Sequence, residues 1–146
     1  MKSIYLASPF FDEDQIDRVK RVETALDNNK TVGEVFSPRK SQFPELTFGS
    51  PEWKLTAYKH DLDHLNAADV VVAVSDFTDE SVDSGTAFEI GYAVAKEKTV
   101  VLVHEKSGLV NLMLAQGAKT YVEHAEELKA LNFDELPVQQ YNGEVQ

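Results

Sequence analysis

Short apolar runs and amphipathic stretches alternate along this chain from its beginning to about residue 131. Apolar runs rich in β-branched residues are typical of buried strands, and apolar residues spaced three and four apart are typical of helices. On this basis we predict strands at residues 2–8, 32–36, 69–74, 99–103 and 120–122. We predict helices at residues 12–28, 51–66, 85–97, 111–116 and 126–131, with an irregular tail after Pro137.

Strands that alternate with helices in this way predict a parallel sheet covered by helices on both faces. We therefore predict an α/β fold in which residues 1–146 form a single domain. The expected architecture is a doubly wound, parallel, five-stranded sheet with a flavodoxin-like or Rossmann-like strand order. Ligands of such sheets bind beyond the carboxyl ends of the strands, and the polar loop at residues 37–50 is long enough to cover a site there.

The composition narrows the class of partner. The formal net charge is -11, and such a surface repels phosphate backbones, so we expect neither nucleic acid nor a membrane as a partner. No apolar run is long enough to span a bilayer, and we find no pattern typical of a signal peptide before the first strand. Cysteine is absent, which excludes disulfides and thiol catalysis and leads us to expect a cytoplasmic protein.

Glu89 is the only charged residue between Asp83 and Lys96. The predicted helix around it has an apolar stripe at Ala87, Ile90, Gly91 and Val94, and its remaining arc is apolar as well, at Phe88, Tyr92, Ala93 and Ala95. One interpretation is a surface glutamate; the other is a carboxylate in a cleft or against another subunit, because a helix that is apolar all round is covered all round. The nearby helix N-terminus favours the ionised form, which is a competent nucleophile for a sugar C1.

Asp61 falls within the apolar stripe predicted for the helix at 51–66, which consists of Leu55, Tyr58, Leu62 and Leu65. Burial in such a stripe raises the pKa of a carboxyl and suits it to general acid catalysis, whereas a place at the edge of the stripe leaves it solvated. Asp83 precedes the next helix, where capping that helix together with Ser84 is the simpler interpretation.

Other polar clusters give weaker signals. The spacing of His60 and His64 can bind zinc, but no third ligand is evident, and we predict neither a metal nor a cofactor. The acidic residues of the loop before the helix at 85–97 lack the spacing of a calcium loop and are expected to be solvated; they are Asp76, Asp79, Glu80 and Asp83. Phe10 and Phe11 can stack on a flat ligand or belong to the core.

Four segments together resemble one known family. Residues 4–11 read Ile-Tyr-Leu-Ala-Ser-Pro-Phe-Phe, and residues 58–62 read Tyr-Lys-His-Asp-Leu. Residues 83–92 read Asp-Ser-Gly-Thr-Ala-Phe-Glu-Ile-Gly-Tyr, and residues 111–113 read Asn-Leu-Met. In this order and spacing, which span nearly the whole chain, the segments resemble the nucleoside 2-deoxyribosyltransferases.

The resemblance implies a reaction that exchanges the base of a 2-deoxyribonucleoside by double displacement with retention. It implies that Glu89 attacks C1 of the deoxyribose and forms a glycosyl ester, through an oxocarbenium-like transition state. Tyr5 would hydrogen-bond and orient Glu89, Asp61 would sit by the base and handle its proton, and Asp83 would hold sugar hydroxyls.

The resemblance also implies residues that bind substrate and a partner of the same kind. Phe11 and Gln42 would line the base pocket. Asn111, with Met113 near it, would reach the sugar in the site of a neighbouring subunit. The implied partners are 2-deoxyribonucleosides, free nucleobases and other copies of the chain, in a homo-oligomer that is a hexamer or smaller.

Two alternatives remain at this point. One is an N-glycosidase of the same superfamily that hydrolyses 2-deoxynucleoside 5-monophosphates. Those proteins tend to carry a serine where Asp83 stands, and an aspartate there repels phosphate. The other is a non-catalytic flavodoxin-like binding module, which has no reason to carry Tyr5, Asp61, Glu89 and Asn111 together with Asp83.

Overall fold

The computed structural model describes residues 1–78 and 81–146 and has one five-stranded sheet at its centre. The strands are β1 Lys2–Ala7, β2 Val32–Phe36, β3 Val70–Val74, β4 Thr99–Val103 and β5 Thr120–Val122. All four neighbouring pairs are parallel, and the strand order is β2-β1-β3-β4-β5. The predicted flavodoxin-like α/β fold is therefore confirmed.

Four α-helices follow the predicted positions closely, namely α1 Glu13–Asp27, α2 Pro51–Ala67, α3 Ser84–Ala95 and α4 Leu112–Gly117. Each begins after a residue whose side-chain oxygen accepts a backbone N–H of the first turn, which satisfies a donor that the helix itself leaves free. These N-caps are Asp12, Ser50, Asp83 and Asn111. Within the described ranges, no helix is both long and apolar enough to cross a bilayer.

Two short segments differ from the prediction. The last predicted α-helix, at 126–131, is a 3-10 helix at Ala125–Ala130. The predicted loop at 37–50 contains a 3-10 turn at Pro38–Lys40. The local sequence does not predict this turn because a contact with a distant residue stabilises it. Arg39 Nη2 lies 2.6 Å from Glu23 Oε2 on α1.

The core has two halves, one on each face of the sheet, because neighbouring residues of a strand point to opposite faces. Ile4 and Leu6 of β1 pack with α1 and the 3-10 helix at 125–130. Tyr5 and Ala7 pack on the other face with α2, α3 and α4. Tyr5 therefore points toward the helix that carries Glu89.

The apolar stripe predicted for α3 is only half correct, since Ala87 and Ile90 pack in the core but Gly91 and Val94 are exposed. The residues that α3 buries are Thr86, Ile90 and Ala93, whereas Phe88 is 51% exposed and Val94 is 44% exposed. The helix is thus covered by the sheet on one side and is open on the other. Periodicity misplaced the stripe because α3 is apolar in every direction, so its sequence does not distinguish the sheet side from the outer side.

The stripe predicted for α2 is also mostly uncovered in the single chain. Leu65 is buried, but Leu55 is 69% exposed and Tyr58 is 57% exposed. The Tyr58 ring lies 6.4 Å from the Phe88 ring of α3. The three exposed apolar residues Leu55, Tyr58 and Phe88 define what we call the α2–α3 face.

The acidic loop does not match its prediction. Asp76 is only 1% exposed, and its carboxylate accepts the backbone N–H groups of Glu105 and Lys106. It is therefore a buried, hydrogen-bonded group that fixes the loop after β4. Asp79 and Glu80 lie outside the described residues.

The tail after Pro137 is paired with the rest of the chain more closely than predicted. The N–H of Val110 donates to the Glu144 carbonyl at 3.1 Å, and the N–H of Leu112 donates to the Gln146 carbonyl at 2.9 Å. Residues 144–146 thus run beside the segment that leads into α4. We call these residues the C-terminal brace.

Candidate active site

The site is built around Glu89 in the second turn of α3. The Tyr5 hydroxyl, at the centre of β1, donates a hydrogen bond to Glu89 Oε2. The hydrogen bond that the sequence resemblance implied between these residues is thus present. Tyr5 pairs with Val71 of β3, so the site lies where β1 and β3 meet. This is the point at which the strand order reverses, and ligands bind there in open α/β sheets.

Burial controls the protonation of Glu89. Burial raises the pKa of this carboxyl and the Tyr5 hydrogen bond lowers it; together with the smaller raising effects of the Asp61 and Asp83 charges, the result is a pKa of about 7. The sequence suggested that the helix N-terminus favours the ionised form of Glu89, but the net shift of its pKa favours the protonated form. Desolvation of a charged carboxylate outweighs the modest field of a helix end.

Asp61 lies opposite Glu89 on α2, and burial raises the pKa of its carboxyl to about 6. Of the two interpretations of the sequence, the direction of this pKa shift favours the buried carboxyl over the solvated one. Two interacting carboxyls with raised pKa values titrate as a pair. Between about pH 6 and pH 7 the pair tends to hold one proton, which provides one carboxylate and one acid in the same site.

Tyr5 stays protonated because its ring is completely buried and two carboxylates face its hydroxyl. Burial, Glu89 and Asp61 all raise its pKa, in that order. The Tyr5 ring also stacks on Phe36 of β2, with 5.5 Å between the ring centroids. It is therefore a fixed hydrogen-bond donor.

Asp83 caps α3, as the simpler interpretation of the sequence predicted. Its Oδ2 atom accepts the Thr86 N–H at 3.0 Å and the Thr86 hydroxyl at 3.1 Å. Both bonds use the same oxygen. The charge of Asp83 also raises the pKa of Glu89, so the cap belongs to the surroundings of the site.

A cavity of about 550 Å³ opens beside Asp61. Phe11 and Gln42 line it, as the resemblance implied, and Phe11 is 71% exposed. The cavity also has an aromatic wall that we did not predict, which consists of Phe43, Phe48 and Trp53. Two of these residues, Phe43 and Phe48, lie in an otherwise polar loop, and phenylalanines in such a loop indicate that it covers an apolar surface.

Asn111 and Met113 do not join this cavity within the chain. They line a second cavity of about 420 Å³, on the α4 side of α3, together with His104 and Lys106. Asn111 caps α4 by accepting the Met113 N–H at 2.9 Å, and Met113 is 76% exposed. Both residues project from the surface and are available to another molecule.

His60 and His64, which we considered as zinc ligands, contact each other and their surroundings. His60 Nε2 lies 3.0 Å from Ser41 Oγ, and His64 Nδ1 donates to the His60 carbonyl at 2.8 Å. In the described ranges, no cluster of three or more His, Asp or Glu side chains is arranged to hold a metal.

The fold and the site together define a flavodoxin-like α/β protein with a buried pair of carboxyls beside an aromatic cavity. Paired carboxyls of this kind serve in enzymes that cleave or transfer glycosyl groups.

Comparison with known proteins identifies the family. The model of the nucleoside 2-deoxyribosyltransferase family matches residues 4–131. A nucleoside deoxyribosyltransferase of Limosilactobacillus fermentum is 38% identical, over 90% of this chain and 86% of the relative. A second one, of Lactobacillus leichmannii, is 26% identical over 99% of this chain and 98% of the relative.

A solved structure agrees with both sequence matches. The 2-deoxyribosyltransferase of Bacillus psychrosaccharolyticus superposes with a TM-score of 0.83 at 36% identity, covering 96% of this chain and 99% of the other. The chain belongs to the nucleoside 2-deoxyribosyltransferase family, and it is an enzyme of deoxyribosyl transfer.

Proposed function

We propose that the enzyme exchanges the bases of 2-deoxyribonucleosides by double displacement through a covalent ester on Glu89. The observation that carries this proposal is the partly buried Glu89 carboxyl, held by Tyr5 and paired with Asp61, which lines the cavity. We expect the reaction to take place in the cytoplasm, in line with the absence of cysteine.

In the first step a carboxylate oxygen of Glu89 bonds to C1 of the deoxyribose while the bond from C1 to the base nitrogen breaks. The departing base takes its proton from Asp61. In the second step the nitrogen of a new base attacks C1, the ester bond breaks, and the proton of the new base passes to the Asp61 carboxylate. The two inversions give net retention.

Double displacement needs an ionised nucleophile and a protonated acid at the same time, which is one of the two arrangements of the state with a single proton on the pair. Because the pKa of Glu89 is about 7 and that of Asp61 about 6, most of that proton lies on Glu89, and the reactive arrangement with Glu89 ionised is the minor one. The Tyr5 hydroxyl donates to one Glu89 oxygen and leaves the other for attack. Asp83 would accept the sugar hydroxyls with its second oxygen.

The cavity has the chemistry of a base-binding site. Its walls are aromatic and aliphatic, and flat heterocycles stack on such rings. In this proposal Phe11 stacks on the base, Gln42 hydrogen-bonds its edge and Asp61 reaches a ring nitrogen.

Incubation with deoxyinosine and adenine tests the reaction, with deoxyadenosine and free deoxyribose followed by chromatography. Deoxyadenosine without free deoxyribose is the expected result. A parallel incubation with a deoxynucleoside monophosphate tests the alternative. Hydrolysis of the monophosphate, without any base exchange in the first mixture, would identify the N-glycosidase. When the native enzyme is mixed with deoxyinosine and no acceptor base and the reaction is quenched, the mass of the protein should increase by one deoxyribosyl group. The mass of the Glu89→Gln variant should not change.

We further propose that the enzyme works as a homo-oligomer in which Asn111 and Met113 complete the site of a neighbouring subunit. Two features support this: neither residue lines the cavity beside Asp61 of its own chain, and the α2–α3 face leaves large apolar side chains uncovered. Exposed apolar surface of this kind marks interfaces between proteins.

A mixing experiment tests the shared site. Glu89→Gln and Asn111→Ala are each expected to be inactive, and unfolding and refolding them together should restore part of the activity. The matched control mixes Glu89→Gln with Asp61→Asn, whose two positions lie in one chain, so no intact site can form. Equal recovery in both mixtures, or none in the first, would exclude shared sites.

A further inference from the structure

We propose that His60 is a positioning residue that fastens residues 41–49, one wall of the cavity, to helix α2 through Ser41. The interpretation of the cavity as the base site rests on the proposed function. The attachment itself rests on contacts within the chain and is testable without any substrate.

The first observation is how sparsely this wall is tied to the protein. Among hydrogen bonds of residues 1–78 and 81–146, the contact of Ser41 Oγ with His60 Nε2 at 3.0 Å is the one that joins segment 41–49 to a distant part of the chain. The other bonds of the segment are local turns, such as the Leu46 N–H to the Phe43 carbonyl.

The segments before and after the wall are firmly held. The contact of Ser41 with His60 therefore determines how the residues between them are positioned. Before the wall, the buried Glu23 carboxylate accepts the Ser37 hydroxyl at 2.7 Å and the Arg39 guanidinium at 2.6 Å. After it, Ser50 caps α2 by accepting the Trp53 N–H at 3.1 Å. Between these anchors lie six residues that line the cavity, Ser41 itself and five others: Gln42, Phe43, Pro44, Leu46 and Phe48.

The second observation is that His60 is itself supported from behind. Phe43 of the wall packs edge-on against the His60 ring at 5.1 Å, and His60 lies 4.3 Å from the His64 ring. His64 stacks on Phe36 at 3.9 Å, and Phe36 stacks on Tyr5. A continuous row of rings therefore runs from the wall to the hydrogen-bond donor of Glu89.

His60 suits this place because it combines a flat ring with a polar tip. Burial and the neighbouring His64 lower the pKa of its imidazole, against the opposing charge of Asp63, so the ring is neutral among its aromatic neighbours. A neutral imidazole contributes to the ring row and still holds the Ser41 hydroxyl at Nε2.

The test separates the hydrogen bond from the packing. His60→Phe keeps a ring but removes the bond, and Ser41→Ala removes the other partner. Loss of one neutral hydrogen bond should raise the KM for the acceptor base about fivefold in either variant, with kcat unchanged. The double variant should be no worse than either single one, because both changes break the same contact.

Trp53, the only tryptophan of the chain, lines the cavity and gives a second readout that needs no catalysis. Both variants should make its fluorescence more accessible to acrylamide quenching. Thr47→Ala is the matched control, since it removes a hydroxyl of the same segment that makes no distant bond, and it should behave as the native chain. His60→Gln, which restores a polar tip, should recover part of both effects.

Native quenching and a native KM for the base in both His60→Phe and Ser41→Ala would overturn the proposal. A fall in kcat with KM unchanged would also overturn it, because it would place His60 in the chemistry. Failure of the proposed function has a different signature: the native enzyme would exchange no bases, while the quenching comparison would still report the attachment.

Discussion

The Tyr5 hydroxyl donates a hydrogen bond to Glu89, a residue 84 positions later in the chain. This bond joins the middle of a buried strand to the helix that carries the candidate nucleophile. It also opposes the effect of burial, because it lowers the pKa of a carboxyl that desolvation raises. Tyr5 therefore influences both where the Glu89 carboxyl points and how readily it ionises.

Replacing Tyr5 by Phe should raise the pKa of Glu89 above its native value of about 7, since the one hydrogen bond that favours the carboxylate is lost. The basic limb of the kcat/KM profile, which follows the higher pKa of the pair, should move to higher pH, and the maximum should fall because less of the one-proton form has Glu89 ionised. One pKa unit corresponds to roughly a tenfold loss of rate below neutrality. Steady-state kinetics across pH measures both effects.

The matched control for Tyr5→Phe is Tyr92→Phe, which removes a hydroxyl from α3 that bonds Asn66. It should leave the pH profile unchanged. An unshifted basic limb in Tyr5→Phe would show that the hydrogen bond does not control the ionisation of Glu89.

The paired carboxyls predict a narrow, bell-shaped dependence of kcat/KM on pH. Activity should fall below about pH 6, where both Asp61 and Glu89 are protonated, and above about pH 7, where both are ionised. In Asp61→Asn the charge that raises the Glu89 pKa is gone. The remaining activity should lose its basic limb and rise only with the ionisation of Glu89, whose pKa should fall below about 7; retention of a basic limb would mean that another group supplies the proton.

Glu89 is also expected to lower stability. Its folded-state pKa of about 7 exceeds its ordinary value, so the folded protein binds more protons than the unfolded chain in that interval, and stability falls as pH rises through it. Glu89→Gln should therefore unfold less readily than the native chain at about pH 8, by on the order of 2 kcal/mol. Urea denaturation should find this difference abolished at about pH 4, where Glu89 is neutral in both states.

Asp83 serves as a cap and faces the site, and substitutions separate these roles. Asn and Ser are both good N-caps, so Asp83→Asn and Asp83→Ser should keep the melting temperature that Asp83→Ala lowers. All three lose the charged acceptor and should raise the KM for deoxynucleosides. If only Asp83→Ala impairs catalysis, the residue is a cap alone.

The same position bears on the choice between nucleoside and nucleotide. Removing its negative charge should improve turnover of deoxynucleoside monophosphates, most of all in Asp83→Ser, whose hydroxyl can donate to a phosphate. Comparing kcat/KM for a deoxynucleoside and its monophosphate in each variant measures this shift. An unchanged ratio would separate Asp83 from substrate choice.

The sequence predicted the order and type of nearly every element, because continuous β-branched runs such as that of β3 are characteristic of buried parallel strands. It did not predict which side of α3 meets the sheet. Spacing gives a direction only when polar and apolar residues differ in position, and α3 is apolar all round. The expected burial of the α2 stripe was mostly wrong for a related reason. Periodicity indicates that a surface of a helix is apolar, but it does not indicate that the same chain covers that surface.

The candidate site was predicted unevenly. Glu89 was conspicuous as an isolated charge and Asp61 as a carboxylate in an apolar stripe, so local patterns identified both. Tyr5 carried no such signal, because a tyrosine inside a strand is ordinary core until a partner 84 positions later is known. His60 drew attention only through its spacing from His64, whereas its contact with Ser41 depends on the path of a loop.

The C-terminal brace has a practical consequence for experiments on this enzyme. Residues 144–146 hold the segment beside Asn111 through the hydrogen bonds of Val110 and Leu112. A purification tag fused after Gln146 would crowd the residue proposed to serve the neighbouring subunit. Met1 precedes β1 and so lies at the amino edge of the sheet, away from the site, which makes it the better place for a tag or a surface linkage.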